Sequence, residues 1–157
     1  MPETAALMER LHELLSASAA KWGEAVDRIP ASCDVVAHRV GRSGVLAFVE
    51  GYALCGWDPD DRRAPRDAYR LLGERLRDYG PTRHMVYPLN LASVRLTRKL
   101  GAVPQGVDAD GYVHYVLTYD GYRAAAAKHL GRRCPNHLLP ENPDGPQLRD
   151  CPDQPAA

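Results

Sequence analysis

Arg62, Arg63 and Arg66 stand together at the start of a helix that Pro65 opens. Guanidinium forks suit phosphate oxygens, so anion binding is the chemistry this spacing offers; a solvated, charged helix start is the plainer use of the same residues. Two side chains could take a proton from a substrate. Glu50 lies beside Gly51 in a central apolar run, and His84 begins a short strand-like run. Each equally suits a structural role, as an exposed strand position or a hydrogen-bonded histidine. Asn90 and Ser93 put polar groups at the start of a second helix, where Asn90 fits best as its cap. His129, Cys134, His137 and Cys151 are of types that suit zinc, but their irregular spacing is unlike the paired ligands of structural sites. Tyr112, Tyr115, Tyr119 and Tyr122 lack an accompanying Lys or Arg set for base stacking, so core and hairpin packing accounts for them.

The elements that must position these residues follow from pattern. Residues 3–29 carry Leu7, Leu11, Leu14, Leu15, Ala19, Trp22 and Ile29 at steps of mostly three and four, which predicts an amphipathic helix ended by Pro30. The serines at 16 and 18 could divide it. Residues 34–40 and 45–57 read as strands about a Gly41 to Gly44 turn, and Gly51 either bulges the second run or splits it in two. A helix follows from Pro65, with Ala68, Leu71, Leu72 and Leu76 as its buried stripe and Gly80-Pro81 as its stop. His84 to Tyr87 is a strand ended by Pro88. Asn90 then caps a helix with Leu91, Val94 and Leu100 on one face and Gly101 beyond its end. Residues 102–107 and 112–119 flank an Asp108-Ala109-Asp110-Gly111 turn, and Asp120 could cap a last short helix ended by Gly131. Prolines 135, 140, 143, 146, 152 and 155 predict an irregular tail from residue 132, either a mobile terminus or an arm that orders on a partner through His137, Leu138 and Leu139.

Composition sets the bounds. A chain of 157 residues fits one domain, here 1–131, with a proline-rich appendage at 132–157. Twenty basic and twenty acidic residues cancel, which removes any broad electrostatic case for nucleic acid or a membrane surface. No apolar run is long enough to span a bilayer, and Glu3, Glu9 and Glu13 stand where a secretory signal would be basic and then apolar. A cytosolic setting is therefore expected. Four cysteines do not make a disulfide scaffold in a chain this long, and Cys33 and Cys55 are expected as reduced thiols.

Asn90, Ser93, Leu96, Lys99, Leu100, Gly101 and Ala102 are spaced as N-x-x-S-x-x-L-x-x-K-L-G-[FA]. This segment resembles one near the C-terminus of the GNAT family of N-acetyltransferases, closely over 85–117 and more weakly upstream to about Val35. The resemblance implies an α/β fold with a mixed, mostly antiparallel sheet flanked by helices, and an acetyl-CoA cleft walled by the strand before Asn90 and the helix after it. No strand precedes the first helix here, although the family usually has one.

In that family a loop patterned [RQ]-x-x-G-x-[GA] holds the cofactor's diphosphate on backbone amides at a helix N-terminus. The corresponding stretch is Trp57 to Ala68. Registered on Arg62, it puts Pro65 and Asp67 in place of glycines; registered on Arg63, it puts Arg66 in the first glycine position and an acceptable Ala68 in the second. Arg62, Arg63, Arg66, Ala68, Asn90 and Ser93 are the implied acetyl-CoA contacts, and Glu50 or His84 the implied base. The family's Tyr general acid is replaced by Thr97, a poorer proton donor. Two functions are therefore expected as alternatives. One is a weak or atypical acetyl-CoA-dependent N-acetyltransferase of unknown amine acceptor. The other is a catalytically silent binding or assembly protein that meets protein partners through its sheet and tail, as known among bacteriophage virion and assembly proteins, in a bacterial or phage-infected cell.

Overall fold

A computed structural model describes residues 2–130. The proline-rich tail, Cys134, His137, Cys151 and the Gly131 stop lie outside the described residues, as does the side chain of His129. The chain is α/β, with six strands and four α-helices among the described residues. It divides into two compact units, Met1–Ala68 and Tyr69–Ala157.

In the first unit, helix α1 (Pro2–Ala19) lies on a three-stranded antiparallel sheet of β1 (Val35–Val40), β2 (Gly44–Val49) and β3 (Tyr52–Gly56). Leu7 and Leu11 bury against Val45, Ala47 and Val49, with Leu15, Val35, Ala37 and Leu54 packed around them. All six residues of β2 are buried, so this strand is covered on both faces and reads as a continuous apolar run. The helix expected over 3–29 is shorter. It tightens into a 3₁₀ turn at Ala20–Trp22 and ends where Gly23 takes φ 71°, while the Glu24 amide returns to the Ala19 carbonyl. Gly23 is therefore the stop, seven residues before Pro30, and the serines do not divide the helix.

Gly51 splits the second apolar run. Val49 pairs with Tyr52 across a two-residue turn whose members, Glu50 and Gly51, have φ of 49° and 84°. A positive φ at both central positions is what a twisted two-residue hairpin demands. Glu50 is thus a turn residue and not part of a central strand.

Helix α2 (Arg63–Tyr79) carries the expected stripe, with Ala68, Leu72 and Leu76 buried and Leu71 half-buried. The second unit continues with β4 (Thr82–Val86), α3 (Leu91–Lys99), β5 (Val103–Val107), β6 (Val113–Leu117) and α4 (Tyr119–Ala125), which runs into one π-helical turn at Ala126–Leu130. β6 lies between β4 and β5, antiparallel to both, and the hairpin at Asp108 to Gly111 forms as its sequence requires.

Asn90 caps α3, accepting the Ser93 amide at 3.2 Å, and Gly101 takes φ 95° just past its end. On α3 the buried side chains are Thr97 and then Leu100 beyond the last turn, whereas Leu91 is 59% exposed and does not join the apolar face expected of it. Thr118, not Asp120, caps α4, because its hydroxyl accepts the Gly121 amide at 3.1 Å and Asp120 already lies within the helix. Among the described residues no helix is long and apolar enough to cross a membrane.

Candidate functional site

The densest polar construction in the first unit joins the β1–β2 turn to the start of α2. Gly41 to Ser43 form the turn, and Asp58 to Arg62 lead into the helix. The Asp61 carboxylate accepts five hydrogen bonds. Its Oδ2 takes the Arg42 and Ser43 amides, both at 2.8 Å, and the Ser43 hydroxyl at 2.7 Å; its Oδ1 takes the Ala64 amide at 3.1 Å and the Arg63 amide at 3.2 Å. Asp67, one helical turn on, accepts the Gly41 amide at 2.8 Å. Gly41 takes φ 56°, and a Cβ there would lie 2.5 Å from Asp61 Oδ1, so only glycine allows the turn to close on the helix.

Neighbouring groups brace the junction. The Asp58 amide donates to the Ser43 hydroxyl oxygen at 3.0 Å, and Arg10 of α1 reaches both the Ser43 carbonyl and the Asp58 carboxylate at 3.2 Å. The Ser43 hydroxyl, followed by the turn and helix amides, holds the Asp61 carboxyl well below the usual carboxylate range, and these bonds outweigh the opposing effect of its partial burial.

Successive amides of a turn together with the amides opening a helix make an anion-binding concavity. Here the anion is the chain's own Asp61. The two amides that open α2 are occupied by it, and Pro65, next in line, has no N–H. A diphosphate at this position would displace a carboxylate and face Asp67 as well. The residues present therefore do not fit the acetyl-CoA diphosphate in the manner the resemblance implies.

The expected site residues are distributed over both units. Arg62, Arg63 and Arg66 are exposed beside the junction, but Ala68 is buried in the α2 stripe and offers no open surface. Glu50 follows β2 while Ser43 precedes it, so the six residues of that strand, roughly 20 Å of extended chain, separate Glu50 from the junction. The exposed Glu50 carboxylate accepts the Asp34 amide at 2.8 Å.

In the second unit, His84 is buried at the middle of β4, not at its start, and its Nε2 lies 2.9 Å from the Thr82 hydroxyl. Burial pushes its pKa down to about 4, too weak a base to draw a proton from an ammonium group. Asn90 is engaged as a cap, with its oxygen on the Ser93 amide, and Thr97 is buried.

No family model, curated protein or solved structure matches the chain. Function is therefore argued from the residues themselves. Cys33 and Cys55 are free thiols, the first half-buried and the second exposed. Among the described residues, no three of His, Cys, Asp or Glu come together as metal ligands.

Asp61, Ser43, Asp58 and Arg10 build the junction without belonging to the phosphate contacts that the sequence implies. A signal for Asp61 was present, since an Asp three residues before Ala64 and just ahead of a first-turn Pro is a helix-start pattern. Ser43 and Arg10 carried no local signal. They meet the junction only because β1 and β2 pair and α1 lies on the sheet.

Proposed function

We propose that the chain is a catalytically silent, GNAT-like protein that works by binding other protein, as an assembly or adaptor component. The single observation that carries this reading is the Asp61 carboxylate seated on the amides of the β1–β2 turn and of the α2 start. A fold of this type that used acetyl-CoA would need those amides for the diphosphate. The chemistry of the other candidates supports the same reading. Glu50 is a turn residue at the far end of β2, His84 is a buried base of pKa about 4, and Thr97 is buried. The buried imidazole and the buried hydroxyl are poorly equipped to move a proton to or from an amine or a thiol, and Glu50 stands apart from the junction. The GNAT-like assignment itself draws on the capped Asn90 helix, the Gly101 stop and the hairpin after it.

Calorimetric titration of the full chain with acetyl-CoA, with desulfo-CoA as control, tests the reading. The expected result is no heat of binding up to millimolar ligand. Micromolar binding would overturn it and restore the alternative, an atypical N-acetyltransferase in which Arg62, Arg63 and Arg66 replace the amide cradle.

A further inference from the structure

We propose that Arg42, Arg62, Arg63 and Arg66 form a docking surface for an acidic protein segment, one rich in Asp or Glu. This inference rests on the protein-binding reading and names the chemistry of the partner.

The junction sorts its charges. Arg42 and Arg63 each donate a backbone amide to Asp61, Arg62 adjoins Asp61, and Arg66 adjoins Asp67. All four backbones are therefore gathered at one end of the first unit. Three of the carboxylates among them are engaged at the junction, since Asp61 and Asp67 accept backbone amides and Asp58 pairs with Arg10, while Asp60 is exposed. The guanidinium groups are left outward. All four arginines are exposed, and none makes an ion pair among the described residues, whereas Arg10, Arg28, Arg70 and Arg77 each do.

With Asp58, Asp61 and Asp67 engaged, the four exposed guanidinium groups outnumber the exposed Asp60 carboxylate at this end of a chain whose formal net charge is zero. Rigidity adds to it. The Asp61 and Asp67 bonds fix the backbone beneath the four side chains, so binding immobilises only the side chains.

The interleaved acids decide which polyanion fits. Duplex DNA presents about one charge per 1.7 Å of axis and rewards an unbroken cationic track. The exposed Asp60 interrupts any such track here. A peptide places its carboxylates on separate, mobile side chains, and each can address one guanidinium fork in bidentate geometry while avoiding the acids between them. An acidic protein segment is therefore favoured over nucleic acid.

The test uses the full chain and a fluorescein-labelled oligoglutamate peptide followed by anisotropy at low salt, with an oligothymidine of equal charge and acetyl-CoA titrated alongside. The peptide is expected to bind, and replacing all four arginines by Gln should weaken it about tenfold or more. The melting temperature should stay unchanged, since only backbone atoms of Arg42 and Arg63 enter the junction. An R95Q/R98Q control on α3 should bind as the unaltered chain does. Amide chemical shifts on adding peptide should move at residues 41–43 and 61–68, a readout that does not depend on any variant folding. Absence of peptide binding, equal binding by the four-Gln variant, equal loss in the α3 control, shifts elsewhere, or tighter oligothymidine binding would each overturn the inference. Micromolar acetyl-CoA binding would overturn the protein-binding reading beneath it, so the two failures are told apart.

Discussion

Ser43 and Asp61 are joined twice: the Ser43 hydroxyl donates to Asp61 Oδ2 at 2.7 Å and the Ser43 amide donates to the same oxygen at 2.8 Å. One carboxylate oxygen thereby pins the β1–β2 turn while the other caps α2. A residue that looks from sequence like the edge of a phosphate loop is instead the part that closes it.

Asp61→Asn should lower the melting temperature by several degrees at neutral pH, because the amide group accepts through one oxygen only and brings N–H groups against N–H groups. The pH dependence follows from the sign of the shift. The folded-state pKa lies below the unfolded value of about 3.9, so this stabilisation is present above that value and is lost as pH falls beneath it. The unaltered chain should lose its advantage over the Asn variant below about pH 4. Parallel melting curves for the two chains at all pH values would contradict the assignment.

His84 gives a second window. Its folded-state pKa of about 4 lies below the unfolded value of about 6.5, so the folded state holds fewer protons across that interval and stability falls as pH drops through it. The loss saturates at about 3 kcal/mol once pH is below the folded pKa. The ring resonances of His84 should remain those of neutral imidazole at pH 6 in an NMR titration. A midpoint near 6.5 would show an accessible ring and return His84 to the list of functional bases.

Gly101→Ala and Gly111→Ala form a matched pair. Both glycines have positive φ, 95° and 88°, but a Cβ at Gly101 would collide with the Gly121 carbonyl oxygen, whereas nothing lies within 4 Å of one at Gly111. The Gly111 change should cost about 1–2 kcal/mol from backbone strain alone, and the Gly101 change clearly more. Chemical denaturation of both variants measures the difference, and equal costs would deny the close approach.

Tyr122→Phe should destabilise by about 1–2 kcal/mol, since the buried hydroxyl donates to the Tyr69 carbonyl oxygen at 2.6 Å and Phe keeps the ring packing. Burial pushes this phenol above the ordinary tyrosine range, so Tyr122 should remain un-ionised at about pH 10 in an ultraviolet titration. An unchanged unfolding free energy in the Phe variant would remove the hydrogen bond from the account.

The legible parts of the sequence were those whose cause is local. Asn90, Gly101 and the Asp108 to Gly111 turn each act through their own side chain or their own φ, and each was read at its place. Gly51 left two options because a bulge and a turn use the same residue, and only the Val49 to Tyr52 pairing decides between them. Gly23 was locally readable but outweighed by an apolar periodicity that continues past it to Ile29, even though Ile29 packs on the core without being helical. The exposure of Leu91 and the burial of Thr97 were not legible, because helical spacing gives a face but not which face the rest of the fold covers. For the candidate site, the arginines were found and the carboxylate that organises them was not. Its partners at 42 and 43 are brought to it by tertiary structure.

Among the described residues β5 pairs with β6 on one side only, and its exposed residues include Val103 and Val107. A bare strand edge with valines is an invitation to another chain, yet Pro104 carries no amide hydrogen and the register slips between Pro104 and Gly106. An arriving strand would find its ladder broken after one or two rungs. The chemistry of β5 itself, a missing donor and a slipped register, thus works against strand-to-strand joining of copies through this edge.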